Sequence, residues 1–123
     1  LDRMPNEDER RAIFAVMESK GFPGALASWD CKHFTWKNCP MRLHGQHKGH
    51  SDGGKVTIIL EAICDHRRYF WGVNFGDAGS LNDKNVLDKS SIVSSLISGR
   101  LVIKTDPFSI NGNERDWMFF LVD

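Results

Sequence analysis

The sequence lacks any apolar run near the roughly 20 residues that a helix needs to span a bilayer, so no membrane partner is expected. It also lacks a surplus of either charge. Sixteen Lys and Arg face sixteen Asp and Glu, and a formal net charge of +0 gives no reason by itself to expect a nucleic acid or an anionic surface as partner. Cysteine is scarce: Cys31, Cys39 and Cys64 are an odd number without a CxxC pair. That argues against a disulfide framework and for a reducing compartment. The strings GxGxxG, GxxxxGK, HExxH and GxSxG are missing. Their absence removes the simplest arguments for a dinucleotide enzyme, a P-loop NTPase, a zincin or a serine hydrolase. There is no internal repeat and no low-complexity tract.

What is there is ordinary for a soluble globular protein: 41% apolar, 11% aromatic and 26% charged residues in a chain of 123. That length suits one domain and excludes two full ones. The chain opens on Leu1 without a signal peptide and stops at Asp123 directly after the apolar run FFLV, where a strand would normally feed a turn. The expectation is therefore a piece of a longer protein.

Along the chain, Asn6 is a plausible N-cap. Glu7, Asp8 and Glu9 fall in the first turn that follows, where a helix dipole favours anions, and Gly21 is a good stop. ALASW reads as a short strand delivering Asp30 at its C-terminal end, followed by a polar loop from Cys31 to about Gly54. KVTIILEAICD has the composition of a central strand buried on both faces, and YFWGVNFG of its antiparallel partner. Ser80, Asn82 and Asp83 precede one or two helices closed by Gly99, and Asn111-Gly112 predicts a hairpin before the strand WMFFLV. The layout is α/β or mixed α+β.

The loop carries Lys32, Lys37, Arg42, Lys48 and Lys55 against Asp52 alone, with Phe34 and Trp36 interleaved. Cations can neutralise phosphates and aromatic rings can stack on bases, so the segment is a candidate nucleic-acid surface; a solvated basic loop is the plain alternative. Cys31, His33, Cys39, His44, His47 and His50 could also ligate zinc, but their spacing lacks CxxC knuckles and HxxxH pairs. Carboxylates are more informative, since phosphoryl chemistry with magnesium needs hard oxygen ligands converging from strand ends. Asp30 and Asp123 each follow an apolar strand, and Asp83 sits in a capping context. Glu61, inside an apolar strand, is expected to pair with a Lys or Arg, or else to face a polar active site.

The string GFPGALASWDCKHFTWKNCP, followed by GQHKG, TIILEAICD, FWGVNFGDAGSLNDKNVLDKS, INGN and FFLVD, resembles the PIF/Harbinger transposases, especially the plant transposon protein branch. The similarity spans residues 21–123 in one order. It implies a DDE superfamily endonuclease with a ribonuclease H-like mixed sheet, incomplete at the C-terminus. Residues 1–20 form a helix preceding this partial domain. The family's first acidic motif falls on Asp30. Its GSxND-x-x-VL motif falls on Gly79, Ser80, Asn82, Asp83, Val86 and Leu87, and the aspartate ending its later strand on Asp123. The family's remaining glutamate would lie downstream of this chain.

In a ribonuclease H-like sheet the first strand leads into an antiparallel meander, then a helix, and a later strand pairs in parallel beside the first. Asp30 and Asp123 are thus expected side by side, with Asp83 either a third ligand or a helix cap. The resemblance implies Mg2+ or Mn2+ held by Asp30, Asp83 and Asp123 as catalytic carboxylates. It implies DNA backbone contacts from Lys32, Lys37, Arg42, Lys48 and Lys55. Transposon terminal repeats and target DNA are the implied partners, with room for an accessory DNA-binding protein and an oligomer, and the nucleus is the implied location. As a fragment lacking the glutamate, the chain is expected to be inactive alone. The alternatives are a catalytically dead, transposase-derived nuclear relic that binds DNA or protein, and a zinc-binding interaction module.

Overall fold

The computed structural model describes residues 3–49, 53–100 and 103–122. Helix α1 (Glu7–Ser19) begins as its sequence dictates. Asn6 Oδ1 accepts the Glu9 N–H at 2.9 Å while the Glu9 carboxylate accepts the Asn6 N–H at 2.8 Å, a reciprocal capping box. The helix buries Ile13 and Met17 in the same core as Ala25, Leu26, Ala27 and Trp29 of β1 (Ala25–Thr35). Gly21, with φ of +89°, takes the left-handed turn that follows.

Strand β1 pairs antiparallel with β2 (Thr57–Cys64), and β2 with β3 (Phe70–Ala78). Two short helices follow, α3 (Asp83–Lys89) and α4 (Ser91–Ile97), separated where Ser90 caps the second. An isolated hairpin of β4 (Lys104–Ile110) and β5 (Asn113–Trp117) turns at Asn111-Gly112, both at positive φ as a tight hairpin turn requires. Phe108 of this hairpin packs so closely over Gly24 that a Cβ there would stand 2.3 Å from its ring. The chain then enters β6 (Phe119–Val122), which pairs in parallel with β1. The result is a mixed α/β fold whose four-stranded mixed sheet has the order β3-β2-β1-β6.

Two sequence expectations are corrected. Strand β1 does not end at Asp30: its register with β2 continues from Asp30↔Ala62 to Thr35↔Thr57. The apolar run stops at Trp29, but an alternating half-exposed strand needs only one covered face, so the polar residues go on pairing. The segment expected to be loop as far as Gly54 therefore starts later, and it contains a single turn at Met41–Leu43 and the short helix α2 (His44–His47). Strand β2 is likewise buried on one face, through Thr57, Ile59, Glu61 and Ile63, and half-buried on the other. Across that other face Phe34 and Phe75 meet edge to face at 6.4 Å and stay largely open to solvent. Asp123, His50 and Asp52 lie outside the described residues.

The core makes Ile13→Ala a cavity-forming change, expected to destabilise by about 2–5 kcal/mol. Phe75→Ala on the open face should cost under about 1 kcal/mol. Urea unfolding of both variants measures the difference, and a larger loss for Phe75 would mean that the open face is covered in solution.

Candidate functional site

The parallel ladder between β1 and β6 is described as far as Trp29↔Val122, and β1 continues along β2 to Thr35. Beside that last described pair lies a cleft of about 350 Å³, lined by Trp29, Asp30, Cys31, Asp83, Leu87 and Val122. Asp30 is exposed there, and its Oδ1 accepts the N–H of Cys31 at 2.8 Å, so the carboxylate folds back over its own strand.

Asp83 reaches the same cleft by a different route. The turn before α3 is held against the start of β2 by the Gly79 N–H, which donates to the Thr57 carbonyl at 3.1 Å. A Cβ on Gly79 would stand 2.0 Å from the Thr57 hydroxyl, so only glycine permits this approach. Asn82 caps the helix, its Oδ1 accepting the Asn85 N–H at 2.8 Å. Asp83 is therefore the first helical residue and not the cap, and its side chain lines the cleft.

The thiol of Cys31 registers this collection of charge. Burial, reinforced by the negative charges of Glu61, Asp83, Asp30 and Asp77, pushes it up from 9.0 to about 11. Glu61 lies directly opposite Cys31 in the β1–β2 register. It is 1% exposed, and neither carboxylate oxygen has a hydrogen-bond partner. The expected Lys or Arg partner is absent among the described residues, because the neighbouring buried positions on this face are apolar. The indole N–H of Trp29, also at the cleft, is a second buried polar group without a partner.

Lys32, Lys37, Arg42, Lys48 and Lys55 are all exposed, and none makes an ion pair among the described residues. Lys32 follows Asp30 by two residues on the same face of β1; the other four belong to the segment beyond Thr35. That segment is tied to the sheet by the Trp36 N–H, which donates to the Val56 carbonyl at 2.9 Å. The histidines serve this local structure. His44 Nε2 donates to the Cys39 carbonyl and buried His47 Nδ1 to the Thr57 carbonyl, each at 2.9 Å, while His33 Nδ1 meets the Thr57 hydroxyl at 3.1 Å.

As a donor set, Asp30 and Asp83 are hard oxygens that fit a divalent cation in kind. Among the described residues no three His, Cys, Asp or Glu side chains converge on one metal position. The sequence singled out Asp30 and Asp83, and the structure brings them to one cleft. It singled out Glu61 as well, though not its place opposite Cys31, which only the strand register reveals.

Fold and site together define a mixed α/β protein with a carboxylate-lined cleft beside β1 and a cationic segment at one end of the sheet. The chain belongs to the plant transposon protein family, whose model matches residues 1–123. It is thus a transposon-derived, transposase-related protein. No curated protein and no solved structure matches it.

Because its thiol is pushed up to about 11, Cys31 should alkylate slowly at pH 8. With Cys39 and Cys64 replaced by serine, its iodoacetamide rate is expected to rise roughly tenfold per pH unit until near that value, since only the thiolate reacts. Asp83→Asn and Glu61→Gln each remove a negative charge and should move the rise to lower pH. A midpoint at the ordinary thiol value in the unmutated site would place Cys31 outside the carboxylates' field.

Proposed function

We propose that this chain is the core of a PIF/Harbinger-type DDE transposase, a metal-dependent DNA endonuclease that cuts and joins phosphodiesters at transposon ends. The observation that carries the reading is the convergence of Asp30 and Asp83 on one cleft beside the parallel pair of β1 and β6. The strand order supports a ribonuclease H-like sheet, in which an antiparallel meander follows the first strand and a later strand returns in parallel beside it. Asp123 follows Val122, the last residue paired with β1, and is the third proposed ligand.

A bound Mg2+ or Mn2+ would lower the pKa of an attacking water or 3′-hydroxyl and stabilise the leaving oxygen. Asp30, Asp83 and Asp123 would hold it as carboxylates. Lys32, Lys37, Arg42, Lys48 and Lys55 neutralise phosphates and set the DNA backbone along the sheet without reading bases. The partners are terminal-repeat and target DNA, and the work is done in the nucleus, where that DNA lies.

Replacing Lys37, Arg42 and Lys48 together by alanine should weaken DNA binding similarly for all sequences. It should also flatten the salt dependence by about 0.9 for each phosphate that is no longer neutralised. Loss confined to one sequence would mean base reading, and an unchanged salt slope would return these residues to a solvated loop.

The metal-site reading is tested by Mn2+ titration of the chain, which by itself is expected to show no sustained nicking. Asp30→Asn and Asp83→Asn should each weaken Mn2+ binding at least tenfold. DNA binding with no Mn2+ binding would instead identify a catalytically silent DNA- or protein-binding derivative.

A further inference from the structure

The two faces of the four-stranded sheet are finished differently. The face carrying Trp29, Ile63 and Trp71 shares the core with Ile13 of α1, Leu87 of α3 and Ile92 of α4. On the opposite face the register aligns Lys32, Leu60 and Phe75 in one row across β1, β2 and β3, and sets Phe34 beside Ile58 in the next. Phe34 is 46% and Phe75 58% exposed. With Trp36 just beyond the end of β1, they line an open groove of about 520 Å³ above Ile58 and Leu60.

Ring geometry and charge together say what this groove takes. Phe34 and Phe75 meet edge to face, with 72° between their planes, which leaves ring surface free for a flat partner. Lys32 stands in the same row as Phe75, and Lys37 follows Trp36; both are exposed, and neither makes an ion pair among the described residues. A wholly apolar partner would draw the Lys32 ammonium out of water without a counter-charge. A second copy seated on the same face would bring a like charge towards it. A nucleic-acid strand supplies a flat ring and a phosphate with every residue, which answers both the rings and the cations. In a duplex the base faces are already stacked on one another, so the base offered to the groove is an unpaired one.

We propose that the open face at Phe34 and Phe75 is a stacking platform for an unpaired nucleobase of bound DNA, with Lys32 and Lys37 on the phosphates beside it. The proposal rests on the reading of this chain as a DNA-binding protein and adds a contact to bases that phosphate neutralisation does not supply. Phe34 lies four residues along β1 from Asp30, about 13 Å, so the platform stands next to the carboxylate cleft and on the same strand. Stacking of this kind is tolerant of sequence, because every base has a π face.

The experiment is fluorescence anisotropy of the chain with three labelled probes: a short oligothymidylate, an abasic strand of the same length, and a blunt duplex of that length. The unmutated chain is expected to bind oligothymidylate about tenfold more tightly than the abasic strand. Phe34→Leu and Phe75→Leu, which keep apolar bulk and lose the ring, should each remove most of that preference. They should leave abasic and duplex binding and the salt slope unchanged, while Phe75→Tyr should retain the preference. Equal affinity of the unmutated chain for oligothymidylate and the abasic strand would overturn the platform and leave phosphate binding standing. Failure to bind any of the three probes would remove the DNA-binding reading itself, and the platform with it. Concentration-dependent self-association lost in Phe75→Leu, without a preference for oligothymidylate, would assign the face to a second copy and overturn the proposal. So would failure of both leucine variants to fold, since the rings would then belong to the core.

Discussion

The site depends on one close approach, that of the turn before α3 to the start of β2. The Gly79 N–H reaches the Thr57 carbonyl at 3.1 Å, and a Cβ on Gly79 would stand 2.0 Å from the Thr57 hydroxyl. That contact sets where α3 starts, and with it the place of Asp83 in the cleft. From the other side β1 brings Asp30, whose Oδ1 accepts the N–H of Cys31.

Everything that reaches the cleft is held by packing remote from it. Asp83 is placed by Gly79 against Thr57 and by the Asn82 cap, not by any contact of its own. The position of β6 is set by the Phe119 N–H on the Gly24 carbonyl and by Phe108 pressed over Gly24. The hairpin, which contributes no charged residue to the cleft, thereby anchors the start of the strand whose end borders it. Catalytic constellations are commonly supported in this way, with functional groups on strand and helix ends and rigidity supplied from behind.

Charge is distributed with the same division. The cations sit at one end of the sheet and the uncompensated carboxylates at the cleft, so a chain with no net charge presents two local fields of opposite sign. Lys32 and Asp30, two residues apart on one strand, mark their boundary.

Local chemistry was legible in the residues themselves. Asn6 with Glu9 three places on specifies a capping box, Asn111-Gly112 a tight turn, and the β-branched run from Val56 a strand, because each depends on neighbours within a few positions. The chain also declared its odd residues: a glutamate in an apolar strand, aspartates after strands, and five cations against one acid. What the residues could not declare was which of these meet. The extent of β1 was misjudged at Asp30 because a strand covered on one side tolerates polar residues that a local reading assigns to a loop. The state of Glu61 depends on what packs around position 61 from other strands and helices. The meeting of Asp30 with Asp83, more than fifty residues apart, follows from a glycine contact with Thr57 and from the pairing of β2 with β1, and long-range register of that kind exists only in the folded chain.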